Sequence, residues 1–313
     1  MIKTYLSVEG SITELAGREF PKGCWINMVA PTVEETEEIA TRFQVDLNDL
    51  RAPLDEEERS RVEIEDEYMM ILVDIPIVET RNDKDWYGTL PLGIFLVDDA
   101  LLTICLQETS ILKGFEENKV RGFSTNMRTR FIFQILYRNA SLYLAFLRAV
   151  DKKSEEIENK LRESTKNNEL IELLELEKSL TYFTTSLRGN EVVLERLLRT
   201  ERVKKYPEDT ELLEDVIIEN KQAMEMANIY SGILNGMVQT FASVISNNLN
   251  IVMKLMTTLT IVMSIPTLIS GLYGMNVEGI PLSTGPYAFC VVTLMALLLA
   301  GLVAIWFKKK NMF

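Results

Sequence analysis

Small and polar side chains recur at alternating intervals of three and four residues near the end of this 313-residue chain. The residues that share this spacing are Asn250, Met253, Thr257, Thr260, Ser264, Thr267, Gly271 and Gly274. A mean interval of about 3.5 residues places them on one face of a helix, which we call the polar seam. Hydroxyl and amide groups in an apolar stretch favour contact with water or protein over lipid. The pattern therefore predicts a wetted surface, with close packing of small residues against another helix as the alternative.

Two uncharged runs of the chain are long enough to cross a membrane. Residues 255–273 form a run of 19 residues without a charge, and residues 285–307 form a run of 23. A helix needs about 20 apolar residues to span a bilayer, so both runs are predicted to be transmembrane helices. Lys308, Lys309 and Lys310 follow the second run and predict a cytoplasmic C-terminus, because cytoplasmic flanks are enriched in Lys and Arg. Two spans then return the preceding residues to the same side of the membrane.

One long helix is predicted to carry the first span. No proline interrupts residues 208–265. A helix from about residue 207 to the outer surface would be about 100 Å long. Pro266 is expected to kink this helix or to be accommodated by a local adjustment. Because two spans cannot enclose a hole, a pore built from the polar seam needs several copies around a symmetry axis.

Charge is distributed unevenly along the chain. The sequence has 46 acidic and 33 basic residues, but only one acid and four bases follow residue 246, which leaves 45 acids and 29 bases, a net charge of −16, before it. An acidic surface disfavours nucleic acid as a partner. It suits the attraction of cations, with a plain solvated surface as the alternative.

The residue types argue against catalysis. The sequence contains no histidine, which excludes His-ligated zinc and His-based acid–base chemistry within the chain. It also lacks a phosphate-binding glycine loop and a Cys-His cluster, so we expect no enzyme and no cofactor.

The N-terminal part mixes strand and helix patterns. Apolar runs at residues 66–75, 90–97 and 101–105 predict strands around a turn at Asp98 and Asp99. Residues 31–38 predict a helix start with acids in its first turn. The segment after residue 126 predicts two long antiparallel helices with a break near residues 166–168. No signal peptide is recognised after Met1, so this part is expected to be cytosolic.

These patterns predict an α+β cytosolic head joined to a long helical stalk and two C-terminal transmembrane helices. The predicted segments are a cytosolic α/β domain (1–125), an antiparallel helical pair (126–206), a stalk helix continuing as the first transmembrane helix (207–276), an outer loop (277–284), a second transmembrane helix (285–307) and a basic cytoplasmic tail (308–313).

The connection between the two spans contains a short motif. Tyr273-Gly274-Met275-Asn276 in this position resembles the signature of the CorA family of divalent-cation, mainly magnesium, transporters. The resemblance continues from about residue 207 to the end, through Asn250-Ile-Val-Met-Lys254, Pro266 and the lysine tail. In the head, Trp25-Ile26-Asn27 and the region from Arg61 to Ile75 are similar to strand motifs of the family.

The resemblance implies a homopentameric funnel with an ion filter. Gly274, Met275 and Asn276 are implied to bind incoming hydrated Mg²⁺. Asn276 and Asn250 are the residues expected to face the metal. Amide and carbonyl oxygens can hydrogen-bond the hydration shell without removing it, and uncharged groups keep binding weak enough for release. Met253 matches an apolar constriction of the inner pore. Asn250, Met253, Thr267 and Gly271 match pore positions of the family, and the spacing of the seam adds Thr257, Thr260 and Ser264 to the expected lining.

The head departs from the family where the resemblance implies a regulatory magnesium site. The family has an acidic pair there, whereas this chain has Arg51 and Ala52 within Leu50-Arg-Ala-Pro-Leu54. Asp215 matches the partner position on the stalk and is the candidate regulatory residue, with a solvated surface acid as the alternative. Gln239 replaces an acid found on the stalk axis of some relatives.

The expected function is a pentameric channel or transporter for Mg²⁺ influx driven by the membrane potential, with Mg²⁺ as the transported ion. The expected partners are further copies of the chain, membrane lipid and divalent cations. The expected location is the cell membrane of a prokaryote, as a multi-pass protein with both termini in the cytoplasm. The alternatives are a zinc, cobalt or nickel transporter of the same superfamily, and a non-conducting membrane-anchored helical scaffold.

Overall fold

The chain forms two compact units, Met1–Val238 and Gln239–Phe313. The computed structural model describes residues 1–8, 11–17, 19–81, 84–163, 167–203, 206–275, 279–282, 285 and 287–310. The boundary between the units falls within one helix, α6, which runs from Pro207 to Tyr273.

A seven-stranded sheet organises the first unit. Its strands are β1 (Ile2–Val8), β2 (Ser11–Glu14), β3 (Cys24–Val29), β4 (Arg61–Ile64), β5 (Tyr68–Arg81), β6 (Lys84–Val97) and β7 (Ala100–Cys105). The order across the sheet is β2-β1-β3-β7-β6-β5-β4, and β3 pairs with β7 in parallel while the other neighbours are antiparallel. The three predicted strands are confirmed, but β5 and β6 are longer than predicted. Their pairing extends from Tyr68–Val97 to Arg81–Lys84.

The central strands are apolar on both faces because both faces are covered. On one face, Trp25 stacks on Tyr5 with ring centroids 4.9 Å apart and meets Phe131 edge-on at 5.1 Å. The Trp25 indole donates to the Thr103 hydroxyl at 2.9 Å, which satisfies its N–H in a dry environment. On the other face, Met70, Phe95 and their neighbours form a second apolar cluster. Burial on both sides explains why these strands appear in the sequence as continuous apolar runs.

Three short helices pack on the sheet, namely α1 (Val33–Phe43), α2 (Leu47–Arg51) and α3 (Ser110–Glu116). Residues of α1 and α2 belong to the second cluster, whereas Phe115 of α3 belongs to the first, with its ring centroid 6.5 Å from that of Trp25. The predicted helix start near residue 31 is confirmed by a capping box at α1. There the Thr32 hydroxyl accepts from the Glu35 amide at 3.2 Å, and the Glu35 carboxylate accepts from the Thr32 amide at 3.0 Å.

Two long helices, α4 (Arg128–Glu163) and α5 (Asn167–Arg199), complete the first unit. The break predicted near residues 166–168 lies next to the start of α5. The rings of Tyr143 and Phe183 meet with centroids 5.2 Å apart, which shows that the two helices fold back on each other.

A polar network joins these helices to β5. The Asp74 carbonyl accepts from the Asn139 and Asn190 amides at 2.9 and 2.8 Å, and the Asp74 amide donates to Asn190 at 2.9 Å. Burial raises the pKa of the Asp74 carboxyl, and hydrogen bonds from Ser186 and Ser60 oppose that rise. A titratable group thus lies inside the packed interface of strand and helices.

The second unit holds the rest of α6 and α7 (Ala288–Lys309). The prediction of one helix from about residue 207 through the first span is confirmed, since α6 contains 67 residues and continues through Pro266. The second predicted span, residues 285–307, corresponds to α7, which begins three residues later and includes Lys308 and Lys309.

Candidate functional site

Within the described part of the chain, two helices are long and apolar enough to cross a membrane, namely α6 and α7. Only 11% of the most apolar window of each helix is buried within the chain. The core helix of a soluble protein passes the same test of length and composition but is mostly buried. The exposure of both helices therefore fits a lipid environment.

The polar seam lies on the free face of α6 in the unit Gln239–Phe313. All eight seam residues, from Asn250 to Gly274, are exposed. The α6 residues of this unit that are described as buried are Thr258 and Ile269. At about 100° per residue, these two lie on roughly the opposite side of the helix from the seam.

A few residues of α7 are also buried, namely Ala296, Ala300 and Phe307. The seam residues of α6 are exposed, so α7 does not cover them. The seam therefore does not serve to pack α6 against α7, and its small residues are free to face water or other copies of the chain.

The seam hydroxyls present acceptor oxygens rather than protons. Thr260 and Thr267 donate their hydroxyl protons to backbone carbonyls one turn earlier, at 2.8 and 3.1 Å, and Ser264 donates to the Ile261 carbonyl at 2.8 Å. A hydroxyl whose proton is used in this way still has lone pairs that can accept. The first-shell waters of a cation direct their hydrogens outward. The seam thus has the uncharged acceptor groups that a hydrated cation needs at a wall.

The inner part of the seam changes character at one residue. Met253 is the one large apolar side chain of the set, and 65% of its surface is exposed. Asn250 lies about one turn before it and is also exposed. If several copies met along the seam, their Asn250 side chains would form a circle of amides and their Met253 side chains an adjacent circle of apolar groups.

At the other end, α6 stops at Tyr273 and the chain turns. The Gly274 amide donates to the Ser270 carbonyl at 2.9 Å, and a Cβ on Gly274 would lie 3.2 Å from that oxygen. A side chain would be tight there, which explains a glycine at the helix end. Gly274 and Met275 are exposed at this end, while Asn276 lies outside the described residues.

A hydrogen bond that the sequence patterns did not predict anchors this turn. The Tyr273 hydroxyl donates to the Pro281 carbonyl at 3.0 Å and so links the end of α6 to the connection before α7. The available signal was an aromatic hydroxyl at the end of an apolar helix, eight residues before a proline. Spacing alone could not show that the two would meet.

The residues considered for the regulatory site, Arg51 and Asp215, lie on different helices. Arg51 lies at the end of α2, where its guanidinium is 3.6 Å from the Glu37 carboxylate. Asp215 is exposed on the part of α6 that belongs to the first unit. Among the described residues, no three His, Cys, Asp or Glu side chains are grouped so that they could hold a metal ion.

The comparison with known families agrees with this arrangement. The family model described as "CorA-like Mg2+ transporter protein" matches residues 22–309, which is most of the chain. The chain belongs to this family. The family is one of membrane transporters, so the expectation of a transporter rather than an enzyme is supported at that level.

Individual relatives cover the whole length of the chain. The cobalt/magnesium transport protein CorA of Methanocaldococcus jannaschii is 26% identical over 313 residues, covering 97% of this chain and 95% of the relative. The magnesium transport protein CorA of Campylobacter jejuni strain RM1221 is 23% identical over 335 residues, covering 99% of both.

A solved structure shows the same fold. The complete structure of the M. jannaschii CorA magnesium transporter superposes with a TM-score of 0.84 at 24% identity, covering 100% of this chain and 99% of that one. The α+β head, the long helix and the two apolar C-terminal helices are therefore shared with that protein.

Proposed function

We propose that this protein is a homopentameric membrane channel for Mg²⁺ influx driven by the membrane potential. The observation that carries the proposal is the exposed polar seam on α6, which α7 does not cover. In a single copy the acceptor oxygens of these hydroxyls would face lipid, which offers them no donor. A ring of copies directs them at a common axis and gives them water and cations to contact.

The proposed filter is Gly274, Met275 and Asn276, at the end of α6. Mg²⁺ loses its waters reluctantly, so an amide that binds the hydration shell is more suitable than a carboxylate that replaces it. Asn250 is proposed as a second metal-facing ring at the inner end. Met253 next to it is proposed as a gate, because an apolar constriction can exclude water.

The proposed topology follows from the lysines after α7. Lys308 and Lys309 in the last turn of α7, with Lys310 behind them, are typical of a cytoplasmic flank. Both termini and the acidic head are then cytoplasmic in the cell membrane of a prokaryote. The acidic head would attract cations to the inner side, and a negative potential would favour their entry.

Cobalt is the alternative ion with specific support. The full-length relative from M. jannaschii is named a cobalt/magnesium transport protein. Nickel and zinc remain competitors on chemical grounds. A non-conducting scaffold would leave the seam without a role, since a helix that only anchors the head needs no row of hydroxyls.

The deciding experiment is divalent-cation uptake into proteoliposomes with an inside-negative membrane potential. We expect Mg²⁺ uptake, an order of selectivity among Mg²⁺, Co²⁺, Ni²⁺ and Zn²⁺, and loss of uptake in Asn276→Ala. Asn248→Ala is the matched control, because Asn248 is an exposed amide on α6 that lies off the seam. Unchanged flux in Asn276→Ala would remove the filter assignment, and no flux of any of the four ions would favour the scaffold. Native mass spectrometry should show five copies.

Asp215 is proposed as the residue to test for regulation by cytosolic magnesium. The acidic pair expected to share such a site is replaced by Arg51 and Ala52. We therefore expect Asp215→Asn to leave the response of flux to internal Mg²⁺ unchanged. A response that is present in the wild type and lost in this variant would establish a regulatory site of different composition.

A further inference from the structure

A cavity of about 460 Å³ lies in the first unit where α4 and α6 begin. Its wall includes three arginines, Arg128, Arg130 and Arg202, together with Tyr206 and Asp209. The volume is within the range of about 300–1,000 Å³ that small-molecule sites occupy, and exceeds what a bare inorganic ion needs.

Two of the guanidinium groups are fixed by neutral partners. Arg128 donates to the Asp98 carbonyl at 2.5 Å. Arg202 donates to the carbonyls of Glu65 and Asp66 at 2.6 and 3.0 Å. Neither arginine has a carboxylate within ion-pair distance among the described residues. Backbone carbonyls therefore hold both groups in place without neutralising their charge.

The third guanidinium is incompletely satisfied. The Arg130 Nε is buried and lacks a hydrogen-bond partner in the part of the chain that the structure describes. Its other contact is a long ion pair of 3.4 Å with Glu208, whose side chain is 80% exposed. An exposed pair of this length is weak. Arg130 can therefore exchange Glu208 for an anion in the cavity.

The backbone adds to the same positive field. Arg128, Thr129 and Arg130, at the start of the 36-residue helix α4, line the cavity. The first amides of a helix have no partner within the helix, and its N-terminal end carries a partial positive charge. The start of α6 adds less, because Pro207 has no amide proton and the Asp209 amide donates to the Tyr206 carbonyl at 3.2 Å. The start of α4 and the three guanidinium groups favour a phosphate group.

Three carboxylates line the cavity together with these donors, those of Asp98, Glu208 and Asp209. Asp209 is the most buried of the three, at 5% exposed. Burial raises the pKa of this carboxyl, while Arg130 acts in the opposite direction. A buried carboxyl needs a partner, and a hydroxyl group of a ligand could supply one. Tyr206, which is 65% exposed, offers a ring face to an organic group.

We propose that this cavity binds a small phosphate monoester whose organic part carries hydroxyl groups. The phosphate contacts Arg130 and the start of α4, and a hydroxyl contacts Asp209. This site is separate from the seam, and binding to it does not depend on whether the protein conducts ions.

Calorimetric titration of the full-length protein in detergent tests the proposal, with adenosine monophosphate and inorganic phosphate as the two ligands. We expect both to bind and the monophosphate to bind more tightly. Arg130→Gln should weaken both by about tenfold, the size of one lost charge-assisted hydrogen bond. Glu208→Gln should tighten both, because it removes the carboxylate that competes for Arg130.

Arg138→Gln is the matched control. Arg138 lies two turns further along α4 and also has a buried Nε without a partner, but it does not line this cavity. It should bind both ligands like the wild type. A general loss of structure would weaken binding in all variants and could not tighten it in Glu208→Gln. Absence of binding, equal affinity for both ligands, or equal effects of Arg130→Gln and Arg138→Gln would overturn the proposal.

Discussion

A comparison of two threonines tests whether the seam oxygens face the permeating ion. Thr267 on α6 and Thr293 on α7 are both exposed, and each donates its hydroxyl to the carbonyl one turn earlier, Met263 at 3.1 Å and Phe289 at 2.8 Å. Replacing each by valine keeps the shape of the side chain and removes the same local hydrogen bond. The two substitutions therefore have the same local effect on their helices. Any difference in flux between them reports the loss of the Thr267 oxygen from the proposed pore wall.

The size of the expected effect follows from the number of seams that an ion touches. A hydrogen bond lost between the wall and a hydrated ion costs about 1 kcal/mol. If the ion contacts two seams of the proposed pentamer at once, Thr267→Val raises the barrier by about 2 kcal/mol and slows Mg²⁺ flux by about 30-fold. Thr293→Val should conduct within about twofold of the wild type, since less than 0.5 kcal/mol separates them.

The assay is the initial rate of Mg²⁺ uptake into proteoliposomes at a fixed potassium diffusion potential, normalised to reconstituted protein. Circular dichroism should show unchanged helix content in both variants. Equal rates for Thr267→Val and Thr293→Val would refute the assignment of the seam to the pathway. A larger loss in Thr293→Val would place α7 at the pore instead.

Three further predictions use the same preparation. A Cβ at Gly271 or at Gly301 meets nothing within 4 Å, so a leucine should fit at either position in one copy. We expect Gly271→Leu to reduce Mg²⁺ flux about tenfold or more, because it narrows the pore and excludes water from it. Gly301→Leu should leave the flux unchanged. Met253 and Met263 are equally exposed, at 65%, so Met263→Ala is a matched control for Met253→Ala. We expect the leak of ions through the closed channel to increase severalfold in Met253→Ala and to stay unchanged in Met263→Ala. Equal leaks in the two variants would argue against Met253 as the gate. Burial raises the pKa of Asp74, so its charge penalises the folded state increasingly as the pH rises from the unfolded pKa of about 3.9 through the folded pKa. Asp74→Asn should therefore have the higher Tm at pH 7 and lose that advantage at acidic pH; a lower Tm at pH 7 would contradict this sign.

The strands and helices were largely predictable because their signals are local. The apolar run around residues 90–97 indicated a buried strand, and the structure extends this strand to Lys84–Val97. That extension includes Asp85 and other polar residues whose pairing depends on β5, so no pattern within the segment could show it. Likewise, Thr32 and Glu35 are close in sequence, and their capping box could be expected from their spacing alone.

The candidate site was predictable to a lesser extent. The spacing of the seam placed its residues on one face, but the same spacing allowed close packing against α7. The exposure of the seam decides between these interpretations within the chain, because α7 does not cover the seam residues.

The sequence by itself determined which segments are apolar enough to span a membrane, where the hydroxyls recur and where the charge lies. These are properties of consecutive residues, and helical periodicity converts them directly into faces. Only the tertiary structure decided that α7 leaves the seam exposed, that Tyr273 bonds to Pro281, and that Arg130 and Arg202 line one cavity although more than 70 residues separate them. These contacts depend on how whole elements pack and turn, which no local spacing encodes.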